Sequence, residues 1–397
     1  MTGFVGIGMG AIQAGLFLPR AQDAGLSRTV LVRRPDQAAA IARARSVTVN
    51  VADDGGIRRQ TVSDLGAATL RSEAALPALV AAAHIAVAVS SVADYPGFAP
   101  LLAEATRAKA RGDGPDAVIY ASENALDAAN LLTRAIVSAG GEPRAFQAVD
   151  TVIGKMSRTV RDAAEIEAAA LTRGAPDLPE AWLVEAYDDI HVSALDPVRG
   201  VAPLPRLLQH DDLLPYERAK LNGHNAAHAA LAYMGAVLNL PFISDVLAVP
   251  AARDLVFGAF IEETGAALIR RYGGVSDLFT PDGWQAHAVA LFDRMANPWL
   301  RDDCRRVGRD AARKLGWNDR LVGTIRLVED VGLDATRWRL AFHVAVEASG
   351  LSLDTLAETW RRTGAEATEV DAFLRRVERE RPAHESWRRK LRHAAAE

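Results

Sequence analysis

Cysteine is almost absent from this 397-residue chain, where Cys304 stands alone. One thiol excludes an intramolecular disulfide and any cysteine-rich zinc site. Cys304 stands among Arg301, Asp302, Asp303, Arg305 and Arg306 and is expected to be a structural thiol, not a nucleophile. No uninterrupted apolar run reaches the length needed to span a bilayer. Met1-Thr2-Gly3 leads straight into a strand without a basic leader, so no signal peptide is expected. No charge sign dominates either: the formal net charge is −4, with acids and bases interspersed. That argues against nucleic acid or an anionic membrane as a partner. Internal repeats and low-complexity blocks are missing too. These absences lead us to expect a soluble cytoplasmic protein, a monomer or small homo-oligomer.

What is present is ordinary for a globular enzyme: 49% hydrophobic and 24% charged residues. The length exceeds a typical single core, so two domains are expected. Strand signals at Phe4–Gly8, Thr29–Val32, Ser46–Ala52, His84–Val89, Asp116–Ala121 and Ala145–Ile153 alternate with helical patterns. The helices are expected at Ile12–Ala24, Pro35–Arg45, Ala74–Ala83, Phe98–Arg111 and Ala125–Ala139. Alternation of this kind predicts a mainly parallel sheet covered on both faces. Trp182–Val192 reads as a late strand closing that domain, and the Pro- and Gly-rich segment Asp196–Pro205 as a linker. Beyond it only helical patterns follow, ending in a charged helical tail, Val370–Glu397. The expected architecture is an α/β Rossmann-type N-terminal domain, residues 1–200, plus an all-α C-terminal domain, residues 201–397.

Ile7–Leu16, IGMGAIQAGL, joins the first strand to the first helix. Gly8 and Gly10 have the G-x-G spacing that lets backbone N–H groups approach a pyrophosphate at a helix N-terminus. Ala11, Ile12 and Gln13 complete the turn, with Gln13 where a third glycine is usual. Position after strand and before helix makes this a dinucleotide-binding candidate; the plain alternative is a phosphate-free turn. Arg33 ends the second strand where an acidic residue usually accepts a ribose hydroxyl. An arginine there is able to pair with a 2′-phosphate, so NADP is favoured over NAD. Arg33 stacking on adenine, or Asp36 serving instead, remains open.

The segment Lys220–Gly235, KLNGHNAAHAALAYMG, places Lys220, Asn225 and His228 inside an Ala-rich apolar stretch. On an α-helix they lie at about 0°, 140° and 80° around the axis, one broad side. Burial lowers a lysine pKa, which a general base for a hydroxyl proton requires. A solvated lysine beside satisfied core polar groups is the plain alternative.

This segment resembles the K-x4-N-x2-H motif of the polyol-specific long-chain dehydrogenases. Three further segments resemble the same family in the same order: Val118–Ala129, VIYASENALDAA; Ala148–Met156, AVDTVIGKM; and Ala296–Leu321, ANPWLRDDCRRVGRDAARKLGWNDRL. The resemblance spans about residues 4–335. It implies metal-independent hydride transfer between NAD(P) and a polyol or polyol phosphate, in a cleft between the domains. Lys220 would be the base, Asn225 and Asn124 would hold the reacting oxygen, and His228 would bind substrate. Asp150, Arg306 and Lys314 match positions near the substrate. Gln13, Thr151 and Lys155 depart from the family pattern, which leaves a cyclitol or modified sugar open as the substrate. A dinucleotide- or sugar-binding protein without catalysis is the alternative from another class. Asn124 or Asp127 is also able to cap the following helix, Asp150 to pair with Lys155, and Arg306 and Lys314 to form a solvated basic face.

Overall fold

The computed structural model describes residues 3–125 and 127–394. Met1 and Thr2 ahead of the first strand, Leu126 of the 118–129 motif and the last three tail residues lie outside the described residues. The chain divides into two compact units, Met1–Leu213 and Leu214–Glu397.

Unit 1 holds two sheets among the described residues. Their strands are β1 (Gly3–Ile7), β2 (Ser27–Val32), β3 (Ser46–Asp53), β4 (Gly56–Ser63), β5 (Leu65–Thr69) and β6 (Ala82–Val87). β7 (Ala117–Ala121), β8 (Phe146–Ile153), β9 (Ser157–Val160), β10 (Ala181–Glu185), β11 (Ile190–Ser193) and β12 (Leu207–His210) follow. The larger sheet runs β12-β11-β8-β7-β6-β1-β2-β5 and the smaller β4-β3-β10-β9. From β5 to β8 the large sheet is parallel, and β1 pairs with both β2 and β6. Strand order reverses at β1, which is where open α/β sheets bind ligands. Side chains alternate between two cores: Phe4, Val30, Val118 and Tyr120 pack on one face, Val5, Ile7, Leu31 and Ile119 on the other. A sheet covered on both faces requires this. The Rossmann-type N-terminal and helical C-terminal architecture expected from the alternation is what forms.

Three details differ from the sequence reading. β3 leaves the main sheet, and β5 takes the outer place beside β2. The turn Asp53-Asp54-Gly55-Gly56 closes a hairpin with β4, whose Arg58 and Arg59 hid its strand character. Trp182–Val192 is not one strand: β10 joins the small sheet and β11 the large one. Arg20 and Lys155, both buried, meet Asp188 in the segment joining β10 to β11. Finally, β12 pairs in parallel with β11 after the Pro-rich segment, where no strand was expected.

Unit 2 is helical throughout its described residues, apart from one bridge between Phe242 and Asp303. Its first long helix is not uniform. Ala219–His224 forms a wide turn in which the Asn225 N–H reaches back to the Lys220 carbonyl, before the α-helix Asn225–Leu238. The azimuths expected from a continuous α-helix therefore do not hold for Lys220. Such wide turns inside helices recur at functional sites. Cys304–Lys314 is likewise two short helices, Cys304–Gly308 and Ala311–Lys314, broken at Asp310 with φ 63°. The tail helix Ala367–Ala394 buries Val370, Phe373, Val377, His384 and Leu391, one stripe at helical spacing. Buried Arg339 binds Glu380 at 2.8 Å and Glu329 at 2.8 Å, which secures this charged helix. Among the described residues no helix is long and apolar enough to cross a membrane.

Candidate active site

In unit 1 the glycine turn lies at the end of β1. Gly8 adopts φ +87°, and a Cβ there would stand 2.5 Å from the Ala88 carbonyl oxygen. Only glycine fits so close to the neighbouring strand end. A Cβ on Gly10 would meet nothing within 4 Å, so space is open above it. Ala11, Ile12 and Gln13 form the first helical turn, whose N–H groups lack partners within the helix. The Gln13 side chain turns inward over β1, where a Cβ on Gly6 would clash with its amide at 2.2 Å. That amide is fully buried, with no partner on either atom among the described residues. Gln13 thus offers its backbone and not its side chain to the turn's open side. A close backbone approach, open space and a helix start at the switch point fit a dinucleotide.

Arg33 follows β2 and is exposed, with Nη1 3.1 Å from Asp94 Oδ1. Asp36, exposed, lies in the first turn of the next helix. Two residues missed by sequence reasoning brace the loop. Gln37 Nε2 donates to the Met9 carbonyl at 3.3 Å and to Glu180 at 2.9 Å, and Arg34 Nη2 donates to Glu180 at 2.6 Å.

Asn124 follows β7, and Asp150 stands opposite Ala121 in β8. Glu123 anchors that loop: its carboxylate accepts the Val89 N–H at 2.9 Å and the Tyr95 hydroxyl. Burial raises the Glu123 carboxyl despite those donors. Asp150 Oδ1 accepts the Ala129 N–H at 2.8 Å, at the start of the helix Ala128–Ser138. Asp127 holds the N-cap position without a side-chain cap bond, so Asp150 caps this helix from the neighbouring strand. Burial, with Asp127 nearby, raises the Asp150 carboxyl. The Lys155 ammonium donates to the Tyr187 carbonyl at 2.6 Å and meets Asp188 at 3.5 Å, and Thr151 donates to the Ala121 carbonyl at 2.8 Å.

In unit 2 the half-buried Lys220 stands on the wide turn. Burial, reinforced by the Arg320 guanidinium and opposed by Glu217, lowers its pKa to about 8. Arg320 lies in the turn before the helix Val322–Asp330, whose Thr324 hydroxyl donates to the Arg320 carbonyl. Thr324 donates to the Asn222 carbonyl at 3.2 Å, and Asn222 Nδ2 donates to Thr324 Oγ1 at 3.1 Å. Asn225 opens the α-helix that follows, half-buried, and His228 lies one turn on. His228 Nε2 is 2.6 Å from Asp302 Oδ2, and Asp302 Oδ1 pairs with Arg306. Burial would raise the Asp302 carboxyl, but His228 and Arg306 together hold it well below the usual carboxylate range. Asp302 thereby joins two residues that the sequence singled out separately. Lys314 is buried, donates to the Val307 carbonyl and falls to about 8 through burial and the charges of Arg320 and Arg313.

Cys304 is buried against Gly235, and burial with Asp303 and Asp302 nearby pushes its thiol up to about 12, which makes it inert. Among the described residues no group of three His, Cys, Asp or Glu is placed to hold a metal ion.

The family model for the mannitol dehydrogenase C-terminal domain matches residues 212–351, which include Lys220, Asn225, His228, Arg306 and Lys314. A mannitol-1-phosphate 5-dehydrogenase of Exiguobacterium is 28% identical over 306 residues, 76% of this chain and 73% of that protein. One from Bacillus licheniformis is 39% identical over 126 residues, 32% of each chain. The fold is similar to that of Pseudomonas fluorescens mannitol 2-dehydrogenase, solved with NAD and D-mannitol, at a TM-score of 0.72 and 13% identity, covering 98% of this chain and 94% of that one. A D-sorbitol dehydrogenase gives 0.71 at 15% identity, covering 96% and 94%. Residues 212–351 thus match the mannitol dehydrogenase C-terminal domain, and the chain as a whole is similar to polyol dehydrogenases in sequence and in fold.

Proposed function

We propose that this oxidoreductase interconverts a polyol, or a polyol phosphate, and its keto form, with Lys220 as the general base. The observation that carries the reading is a half-buried lysine with its pKa lowered to about 8, one wide turn before Asn225 and about two turns before His228. A base is most effective when its pKa lies near the working pH, and an ordinary lysine is too strongly protonated for that. A bound nicotinamide dinucleotide supplies the hydride acceptor. Gly8, Gly10, Ala11, Ile12 and Gln13 would hold its pyrophosphate through backbone N–H groups, and Arg33 would take its adenosine end, favouring NADP. In the oxidation direction neutral Lys220 removes the hydroxyl proton. The amide N–H groups of Asn225 and Asn124 stabilise the charge that grows on the oxygen, where aimed dipoles act most strongly. His228, Arg306 and Lys314 bind the remaining hydroxyls or a phosphate, with Asp150 nearby.

Proton removal by an amine and oxygen stabilisation by amides leave no step that needs a Lewis acid, so the reaction is proposed to be metal-independent. The test is the absorbance of reduced nicotinamide with free polyols and polyol phosphates as substrates, before and after exhaustive EDTA treatment. Turnover with at least one of them, unchanged by EDTA, is expected. Turnover lost to EDTA and restored by zinc would overturn the metal-free mechanism. A chain that binds dinucleotide yet oxidises none of them would favour a binding protein.

A further inference from the structure

Asp302 has its main chain fixed independently of its side chain. The Ile243 N–H donates to its carbonyl at 3.0 Å, the Cys304 N–H donates to Pro241 at 2.8 Å, and Phe242 bridges Asp303. Cys304 in turn packs on Gly235, on the same helix as His228. The carboxylate is therefore held in place whatever it binds. It binds His228 Nε2 at 2.6 Å through Oδ2, and Arg306 through Oδ1. Side-chain exposure rises from 7% at Asp302 to 16% at His228 and 34% at Arg306. The carboxylate is thus enclosed, while the ring and the arginine side chain are partly exposed.

An ionised carboxylate offers lone pairs alone, so the proton between it and the ring belongs to Nε2. Among the described residues the ring makes no other hydrogen bond; its remaining neighbour is the His224 ring, edge-on at 5.9 Å. In the neutral imidazole, Nδ1 is then an acceptor with its lone pair unused. Arg306 spends one of its five N–H donors on Asp302, and its Nε has no partner among the described residues. One carboxylate therefore holds both an acceptor and a donor.

We propose that Asp302 is a positioning residue for substrate recognition: it locks His228 with Nδ1 as acceptor and holds Arg306 as donor, so that the pair reads a vicinal diol. A hydroxyl gives its proton to Nδ1, and the neighbouring oxygen accepts from Arg306. A substrate lacking one of the two hydroxyls leaves a buried polar group unmatched, which binding sites of this kind reject. The proposal rests on the polyol-binding reading of this site but not on the role of Lys220.

The experiment uses the full chain, labelled with 15N, and its Asp302→Asn variant. The carboxamide keeps the shape but replaces one acceptor with a donor, so either His228 or Arg306 faces an N–H group. In the wild type the His228 ring is expected to show Nε2 protonated and Nδ1 bare, and in Asp302→Asn a mixture of tautomers. KM for the polyol is expected to rise about tenfold, kcat to change less than about threefold, and cofactor affinity to stay unchanged. A wild-type ring protonated at Nδ1, alone or together with Nε2, at the assay pH overturns the proposal without any variant. So does an Asp302→Asn enzyme with unchanged KM, or one that loses kcat at constant KM. A fully active Lys220→Ala enzyme would overturn the assigned base while leaving the tautomer and KM results to decide Asp302.

Discussion

Asp150 in unit 1 and Asp302 in unit 2 are carboxylates that each lie within a motif segment, yet their proton affinities move in opposite directions. Asp150 faces a neutral backbone N–H, with Asp127 nearby, so burial dominates and its carboxyl rises. Asp302 faces an imidazole and a guanidinium, and those partners outweigh burial. Beyond this pair, both units hold raised acids and lowered amines. In unit 1, around the ends of β7 and β8, burial pushes Glu123 and Tyr95 up and pulls the Lys155 ammonium down to about 8. In unit 2 the shifted groups include the amines Lys220 and Lys314, pulled down by burial and by Arg320. Between the two aspartates, partner type decided the direction; for the lysines, burial did.

The sharpest way to break this contrast is to remove the amine. Lys220→Ala is expected to lower single-turnover hydride transfer by about 10²- to 10⁴-fold while cofactor affinity stays unchanged. A near-normal rate would take Lys220 out of the base role.

The pH profile sharpens the same point. Oxidation needs Lys220 neutral, so kcat/KM should rise about tenfold per pH unit below about 8 and level off above it. Reduction needs the protonated amine and should be level below about 8 and fall above it. Glu217, His224 and Arg320 are the charged or titratable groups that act on Lys220 or respond to it. Arg320→Met removes one positive charge and should move the oxidation limb to higher pH. A limb that stays in place would mean burial alone sets the amine.

Arg33→Asp tests the cofactor end of unit 1. Arg33 is expected to favour NADP, and the substitution should raise KM for NADP selectively, moving the ratio of kcat/KM towards NAD. The Arg33–Asp94 pair is exposed, so the fold should not suffer. A wild type that prefers NAD, or an unmoved ratio, would remove this assignment.

The smallest effect is expected at Asp150. Asp150→Ala deletes the acceptor for the Ala129 N–H and should cost about 1 kcal/mol, as losing a helix cap does, read as a drop of a few degrees in Tm. Asp150→Asn keeps an acceptor oxygen and should cost less. A large loss of turnover in the Asn variant at normal Tm would show that the carboxylate acts on substrate and not only as a cap.

Periodicity and turn residues alone determined the alternation of strands and helices in unit 1, the glycine turn after β1, the helical unit 2 and the clustering of Lys220, Asn225 and His228. These are local properties: apolar spacing, glycine freedom and neighbours one turn apart. The resemblance to the polyol dehydrogenases was legible because its motifs are short and contiguous. Tertiary structure alone decided that β3 leaves the main sheet, that Trp182–Val192 splits and that Asp150 caps a helix begun on the neighbouring strand. It also decided the wide turn under Lys220, the inward fold of Gln13, the brace from Gln37 and Glu180, and the Asp302 bridge between His228 and Arg306. Each depends on residues far apart in the chain, 74 positions for His228 and Asp302. Burial and electrostatics act through space, so proton affinities followed from which groups packing brought together, and no spacing along the chain records that.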